Sequence, residues 1–321
     1  VHEINSLIDS IVERGRNPVP LRVKLVTPTL KYNRQAWVTA DSLGRHWEPA
    51  RIDAEVAENR HVRVKTQNVT ALTLSMPAGY CPLDGSNAPI VTLDRQKVAG
   101  SPVLSDRSWS ASFRRSGGRW ARADASAEEG LRKRHDLQGP IDDAFMGSFL
   151  MVRPTGSPLA PGTAKWVAGE MQHAVTEWRR QFRGEARVKS DSEVTEADIA
   201  AHNLVLWGDP GSNRILARIA DRLPIRWTAE AVTVGGQQYP ATTHAPVLIY
   251  PNPMNTNRYV VLNSGFTYRE YDYLNNARQV PKLPDWAVID ITTPPNSRYP
   301  GRVANAGFFG ERWELVEAPR D

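Results

Sequence analysis

HNLVLWGDPGSNRILARIADRLPI, residues 202–225, sets an apolar run, a glycine- and proline-rich turn and a stretch of helical periodicity end to end. LVLW (204–207) has no polar alternate, and a strand reads this way when both faces of its sheet are covered. The turn Trp207-Gly-Asp-Pro-Gly-Ser-Asn213 then leads into NRILARIADRL, whose apolar residues recur at helical spacing. Two further buried runs follow, PVLIYPNP (246–253) and RYVVLNSG (258–265). Strand-like EARVKSD (185–191) and helix-like TEADIAA, with Thr195 as N-cap, come before. This alternation predicts a doubly wound, mostly parallel α/β sheet of flavodoxin or amidotransferase type. The loops GDPGSN, YPNPMNTN and NSGFTYRE would then gather at its carboxyl edge.

Upstream of the α/β pattern, residues 164–183 form an amphipathic helix closed by Gly184, and residues 123–165 read as a connector rich in Ala, Gly and Pro. Between residues 22 and 122 the pattern changes to short stretches rich in Val, Thr, Trp and Leu, separated by turn residues. HVRVKTQNV and TALTLSMP alternate with period two, which places Val62, Val64, Leu72 and Leu74 in one layer and Arg63, Lys65 and Thr73 outside it. A β-sandwich is the economical packing for eight such segments, with Gly117-Gly118 as a hairpin turn. Residues 1–14 carry apolar side chains at helical spacing up to Gly15. The expected organisation is a linking helix over 1–18, a β-sandwich-like module over 19–125 and an α/β module over 126–321.

Composition narrows the classes. At 321 residues, 40% hydrophobic and 23% charged, the chain has room for two cores. No window nears the roughly 18 consecutive apolar residues of a membrane span, so none is expected. The net charge of +5 comes from basic residues interleaved with acidic ones, which argues for a solvated surface and against a nucleic-acid partner. Cys81, the single cysteine, excludes an internal disulfide and a cysteine-rich metal site. The seven histidines show no HxxxH, HxH or HExxH spacing, so neither metal nor other cofactor is expected.

Candidate ligand-binding residues lie in the α/β half. Asp209, Ser212 and Asn213 occupy the strand-to-helix turn, where free N–H groups favour an anion or a sugar hydroxyl, although ordinary turn chemistry accounts for the same residues. Asn252, Asn255, Asn257, Asn263 and Ser264 would line the same edge and suit a neutral polar ligand, or simply stabilise turns. Asp142 and Asp143 are candidates for an acid/base pair, for binding a cation or, more economically, for capping a short helix DAFMGSFL. His244 is the histidine best placed to work with Asp209 or Ser264. No serine sits in GxSxG; Ser148 and Ser264 lack the flanking glycines of a nucleophile elbow, so no catalytic residue is assigned. Trp37, Trp47, Trp109 and Trp120 offer stacking platforms for carbohydrate, or belong to the core of the β half.

Several long stretches resemble the C-terminal region of bacterial prolyl-oligopeptidase-like (S9-type) α/β-hydrolase proteins. They are residues 4–38, NVTALTLSMP with VTLDRQKV, LRKRHDLQGPIDDAFMGSFLMVRPTG, the quoted 202–225, 244–266 and 274–296. The resemblance implies a non-catalytic accessory region that braces an upstream serine hydrolase domain of the same polypeptide and shapes access of a peptide or ester substrate. It also implies a secreted or periplasmic setting. The absence of an initial methionine fits a chain that begins mid-fold. The alternatives are a stand-alone module binding carbohydrate or another polar ligand, and an independent hydrolase with its site at the sheet edge.

Overall fold

In the computed structural model, which describes residues 2–15, 17–58, 61–123 and 130–316, the chain is mixed α/β, sheet-rich, and divided into two units, Val1–Gly130 and Leu131–Asp321. The domain break expected at 125/126 lies outside the described residues.

The described residues of unit 1 form helix α1 (His2–Arg14) and ten strands: β1 (Arg22–Thr27), β2 (Arg34–Gln35), β3 (Val38–Leu43), β4 (Ala50–Glu58), β5 (His61–Gln67), β6 (Val69–Met76), β7 (Ile90–Leu93), β8 (Gln96–Ala99), β9 (Trp109–Ser116) and β10 (Arg119–Arg122). Two five-stranded sheets, in the orders β1-β4-β5-β7-β8 and β10-β9-β6-β3-β2, share one hydrophobic core. Val62, Val64, Leu72 and Leu74 are buried in it while Arg63 and Lys65 are exposed, as the alternation requires. Gly117 and Gly118 both take positive φ between β9 and β10, the backbone of a two-residue hairpin turn. Trp37, Trp109 and Trp120 are buried, and each indole N–H is satisfied internally, by Pro20 O, Ser101 O and Asp94 Oδ2. Three of the four tryptophans read as stacking platforms therefore belong to the core. Cys81 is buried as well, and burial pushes its thiol pKa up. On α1, Ile4, Leu7, Ile8, Ile11 and Val12 are all at least 50% exposed.

Unit 2 is built on a seven-stranded sheet in the order β12-β11-β13-β18-β17-β19-β20. Its members are β11 (Phe149–Arg153), β12 (Val188–Ser190), β13 (Asn203–Leu206), β17 (His244–Asn252), β18 (Asn255–Leu262), β19 (Trp286–Asp290) and β20 (Arg302–Gly307). Helix α2 (Pro161–Phe182) joins β11 to β12, α3 (Glu196–Ala201) precedes β13, and α4 (Arg214–Ala217) follows it. A second, antiparallel sheet holds β14 (Ile225–Trp227), β15 (Ala231–Val234) and β16 (Gln237–Pro240). Thr195 caps α3 through a reciprocal box with Asp198.

The expectation of a mostly parallel sheet is corrected. β12, β11, β13 and β18 are parallel, but β17, β19 and β20 are antiparallel additions. The cause is local: only Pro253 and Met254 separate β17 from β18, and two residues can join only antiparallel neighbours. Residues 149–153, assigned to the connector and to a helix DAFMGSFL, form β11, while only Ile141–Phe145 make a short 3₁₀ turn. Asp142 and Asp143 do not cap it. The Asp142 carboxylate accepts from the Thr267 N–H and hydroxyl, and Asp143 accepts from the Tyr259 hydroxyl, so the adjacent carboxyls diverge to separate partners. Helix α2 closes with Arg183, not Gly184, in the left-handed conformation.

Candidate ligand-binding cleft

β11 leads through α2 to β12 on one side, and the chain then crosses to place β13 on the other side of β11. The loops leaving the carboxyl ends of β11 and β13 consequently diverge, and a crevice opens between them, as it does wherever strand order reverses in an open sheet. The crevice here is a cavity of about 480 Å³. Arg153, Pro154, Gly156 and Pro158 line it from the first loop, and Gly208, Asp209 and Ser212 from the second. The face of α2 that carries Ala164, Val167, Ala168, Met171 and Val175 supplies a mainly apolar wall.

The two loops are held rigidly against each other. Gly156 N–H donates to Ser212 O at 2.8 Å, and a Cβ on Gly156 would stand 2.8 Å from Gly211 O. Gly211 is equally confined, since its Cβ would meet Leu159 Cδ2 at 2.9 Å and Ser157 O at 3.0 Å. Both positions need glycine because backbone approaches backbone there.

Asp209, Ser212 and Asn213 are buried, and the turn consumes its own donors. Asp209 Oδ1 accepts from Gly211 N–H (3.0 Å) and Ser212 N–H (2.9 Å), and Oδ2 accepts from Leu159 N–H (2.9 Å). Asp209 N–H donates to Ser212 Oγ. Asn213 Oδ1 accepts from the N–H groups of Ile215 and Leu216, its amide donates to Trp207 O, and Arg214 N–H donates to Asp191 Oδ2. The free N–H groups expected for an anion are thus occupied by the Asp209 and Asp191 carboxylates, the Asn213 amide oxygen and the Ser212 hydroxyl.

The asparagines do not share one edge. Asn263 and Ser264 follow β18 at the carboxyl end of the parallel strands, whereas Asn252, Asn255 and Asn257 sit at the β17–β18 hairpin on the opposite edge. The antiparallel course of β17 is the reason. Asn263 holds the Gly208 peptide from both sides, accepting from its N–H at 2.8 Å and donating to its carbonyl at 3.0 Å. Asn252 Oδ1 accepts from Met254 N–H, Asn255 donates to Ile199 O, and Asn257 accepts from Arg134. Ser264 Oγ donates to Gly265 O. His244 bonds through Nδ1 to Thr243 Oγ1 (2.9 Å), and neither Asp209 nor Ser264 shares a hydrogen bond with it among the described residues.

Ser148 Oγ lies 2.8 Å from His202 Nδ1 on the amino side of β11 and β13, distant in the fold from the cleft. A serine base of triad type needs a carboxylate on its second nitrogen, and no carboxylate pairs with His202 among the described residues. The residues that the sequence reading missed are Arg153, Val167, Ala168 and Met171; the signal was the run FLMVRPTGSP, a short buried strand ending in a proline- and glycine-rich loop. Arg153 is exposed at the cleft and makes no ion pair among the described residues. Among the described residues no helix is long and apolar enough to cross a membrane. Comparison with protein-family models, curated proteins and solved structures finds no match to this chain.

Proposed function

We propose that residues 131–321 carry a binding site for a small amphipathic molecule, with an apolar body along α2 and an anionic or acceptor group facing Arg153. The observation that carries this reading is the 480 Å³ cleft between two interlocked loops, within the 300–1,000 Å³ typical of small-molecule sites. Its apolar wall and the Arg153 guanidinium, which attracts Glu193 only at longer range than an ion pair, fit such a ligand better than a neutral sugar, because the asparagine and turn side chains are already bonded to backbone. The order β12-β11-β13-β18 is compatible with a flavodoxin-like doubly wound core extended by antiparallel strands, and that finer reading of the fold belongs to this proposal. Ligand-observed NMR with aryl carboxylates and aryl phosphates tests it. Binding that disappears in Ala168→Trp and weakens in Arg153→Ala only for the anionic compounds supports the cleft, and equal signals in all three proteins would remove it.

A second reading is the accessory region of a secreted or periplasmic serine hydrolase. It rests on the sequence resemblance and on the exposed apolar stripe of α1, which offers a surface to a covering domain. Fluorophosphonate labelling of a polypeptide that joins this region to its upstream hydrolase domain, with the modified serine mapped outside residues 1–321, is the expected result. No labelled serine would end this reading and leave the cleft unaffected.

A further inference from the structure

Helix α2 presents a different face to a cluster that shares no lining residue with the cleft. His173 and Glu177 stand one turn apart on it, the spacing at which helical side chains lie side by side. Glu270, which begins the 3₁₀ turn Glu270–Leu274, faces them. His173 Nε2 is 3.0 Å from Glu270 Oε1, and one ligand atom from each of the three residues falls within 4.8 Å of the others. Donors bound tetrahedrally to one zinc ion at about 2.1 Å lie about 3.4 Å apart, so the cluster reaches coordination distance by closing up to about 1.4 Å between donors.

Two buried carboxylate oxygens here lack a hydrogen bond of good geometry among the described residues. Glu177 is 6% exposed; its Oε1 reaches Arg180 at 3.5 Å, but its Oε2 has none. Glu270 Oε2 is buried with only Arg269 Nε at 4.0 Å, and the buried Tyr273 hydroxyl faces the Glu177 carboxylate. Burial, then the Glu177 carboxylate, holds the Tyr273 phenol well above its ordinary pKa. The neighbouring charges are already committed: Arg269 grips Glu170 with two nitrogens, and Lys282 pairs with Asp272 at 3.2 Å. A cavity of about 20 Å³ lined by His173 and Glu177 has room for one water-sized body.

We propose that His173 Nε2, Glu177 and Glu270 form a site for a divalent first-row cation of zinc type, with the Tyr273 hydroxyl beside it. One imidazole and two carboxylates are a donor set zinc accepts, and the cation takes the place of the proton shared between His173 and Glu270. The ligands must be deprotonated, so protons compete with the cation for them.

The test is calorimetric titration of the whole chain with ZnCl₂ in a non-chelating buffer, beside His173→Ala and Glu177→Gln. The expected result is one ion per chain and a loss of about ten-fold or more in affinity in each variant. No binding by the unaltered chain, or both variants binding as it does, overturns the proposal. Paramagnetic broadening by Co²⁺ on the unaltered chain decides the case if a variant fails to fold. The His173 imidazole signals must broaden first, and earlier broadening of His202 or His244 defeats the assignment.

Discussion

Asp142 gives the chain a pH dependence opposite in sign to that of its paired carboxylates. It is fully enclosed in unit 2, and burial, opposed by hydrogen bonds from the Thr267 hydroxyl and N–H, raises its pKa from 3.8 to about 6. A carboxyl whose folded-state pKa exceeds its unfolded one favours the fold when protonated, so between about pH 4 and 6 the native state holds the extra proton. Stability therefore falls with rising pH in that window, by about 1.4 kcal/mol per unit and roughly 3 kcal/mol in all. Asp142→Asn imitates the protonated carboxyl in shape and charge and removes this slope. The assay is urea unfolding of both proteins at half-unit steps from pH 4 to 8, reading the difference in unfolding free energy. The expected difference is small at pH 4 and grows in favour of the asparagine variant up to about pH 6.5, then levels off. A difference that stays flat across the window would refute the reasoning. Asp198 and Asp290 do not confuse the reading. A Lys189 hydrogen bond holds the first, and Thr292 and Arg302 the second, at about 2; their stabilisation is present above about pH 4 and is lost only as pH falls toward 2.

Replacing Lys133 by Met leaves the fully buried Asp285 carboxylate without its ammonium partner, and thermal unfolding should show a loss of about 3–5 kcal/mol. Asn213→Ala strips two N–H caps from α4 and the anchor on Trp207 O, so chemical denaturation should report about 1–3 kcal/mol of destabilisation. In the cleft, Arg153→Ala should cost an aryl carboxylate about 1.5–3 kcal/mol in calorimetry while an uncharged analogue loses little.

Much of unit 1 was legible because its strands keep one face buried and one exposed, as in His61–Gln67, where period-two alternation fixes both the element and its inward residues. The apolar runs of unit 2 were legible as buried strands but not as to direction. A strand such as Leu204–Leu206 or Val260–Leu262, covered on both faces, reads alike in parallel and antiparallel neighbours. The Pro253-Met254 turn lacked the glycine that marks two-residue hairpins, so the reversal at Asn252 passed unseen. Strand β11 escaped because five residues after Gly147-Ser148 look like connector, and β19, buried at every position, stood outside the repeats that drew notice. The asparagines were found and their setting was not: residue type does not reveal that Asn263 spends its amide on Gly208. The pairing of His173 with Glu270 spans 97 residues, and no local spacing encodes it.

The central claim is that the crevice between the Arg153–Pro158 and Gly208–Ser212 loops takes a ligand. The most direct measurement is calorimetric titration of 2-naphthoate into the unaltered chain and into Ala168→Trp, whose indole would fill the crevice from an exposed position on α2. Saturable one-to-one binding by the unaltered chain, abolished in the variant while the far-ultraviolet spectrum is unchanged, is the predicted result. Binding of equal strength by both proteins, or by neither, would contradict it.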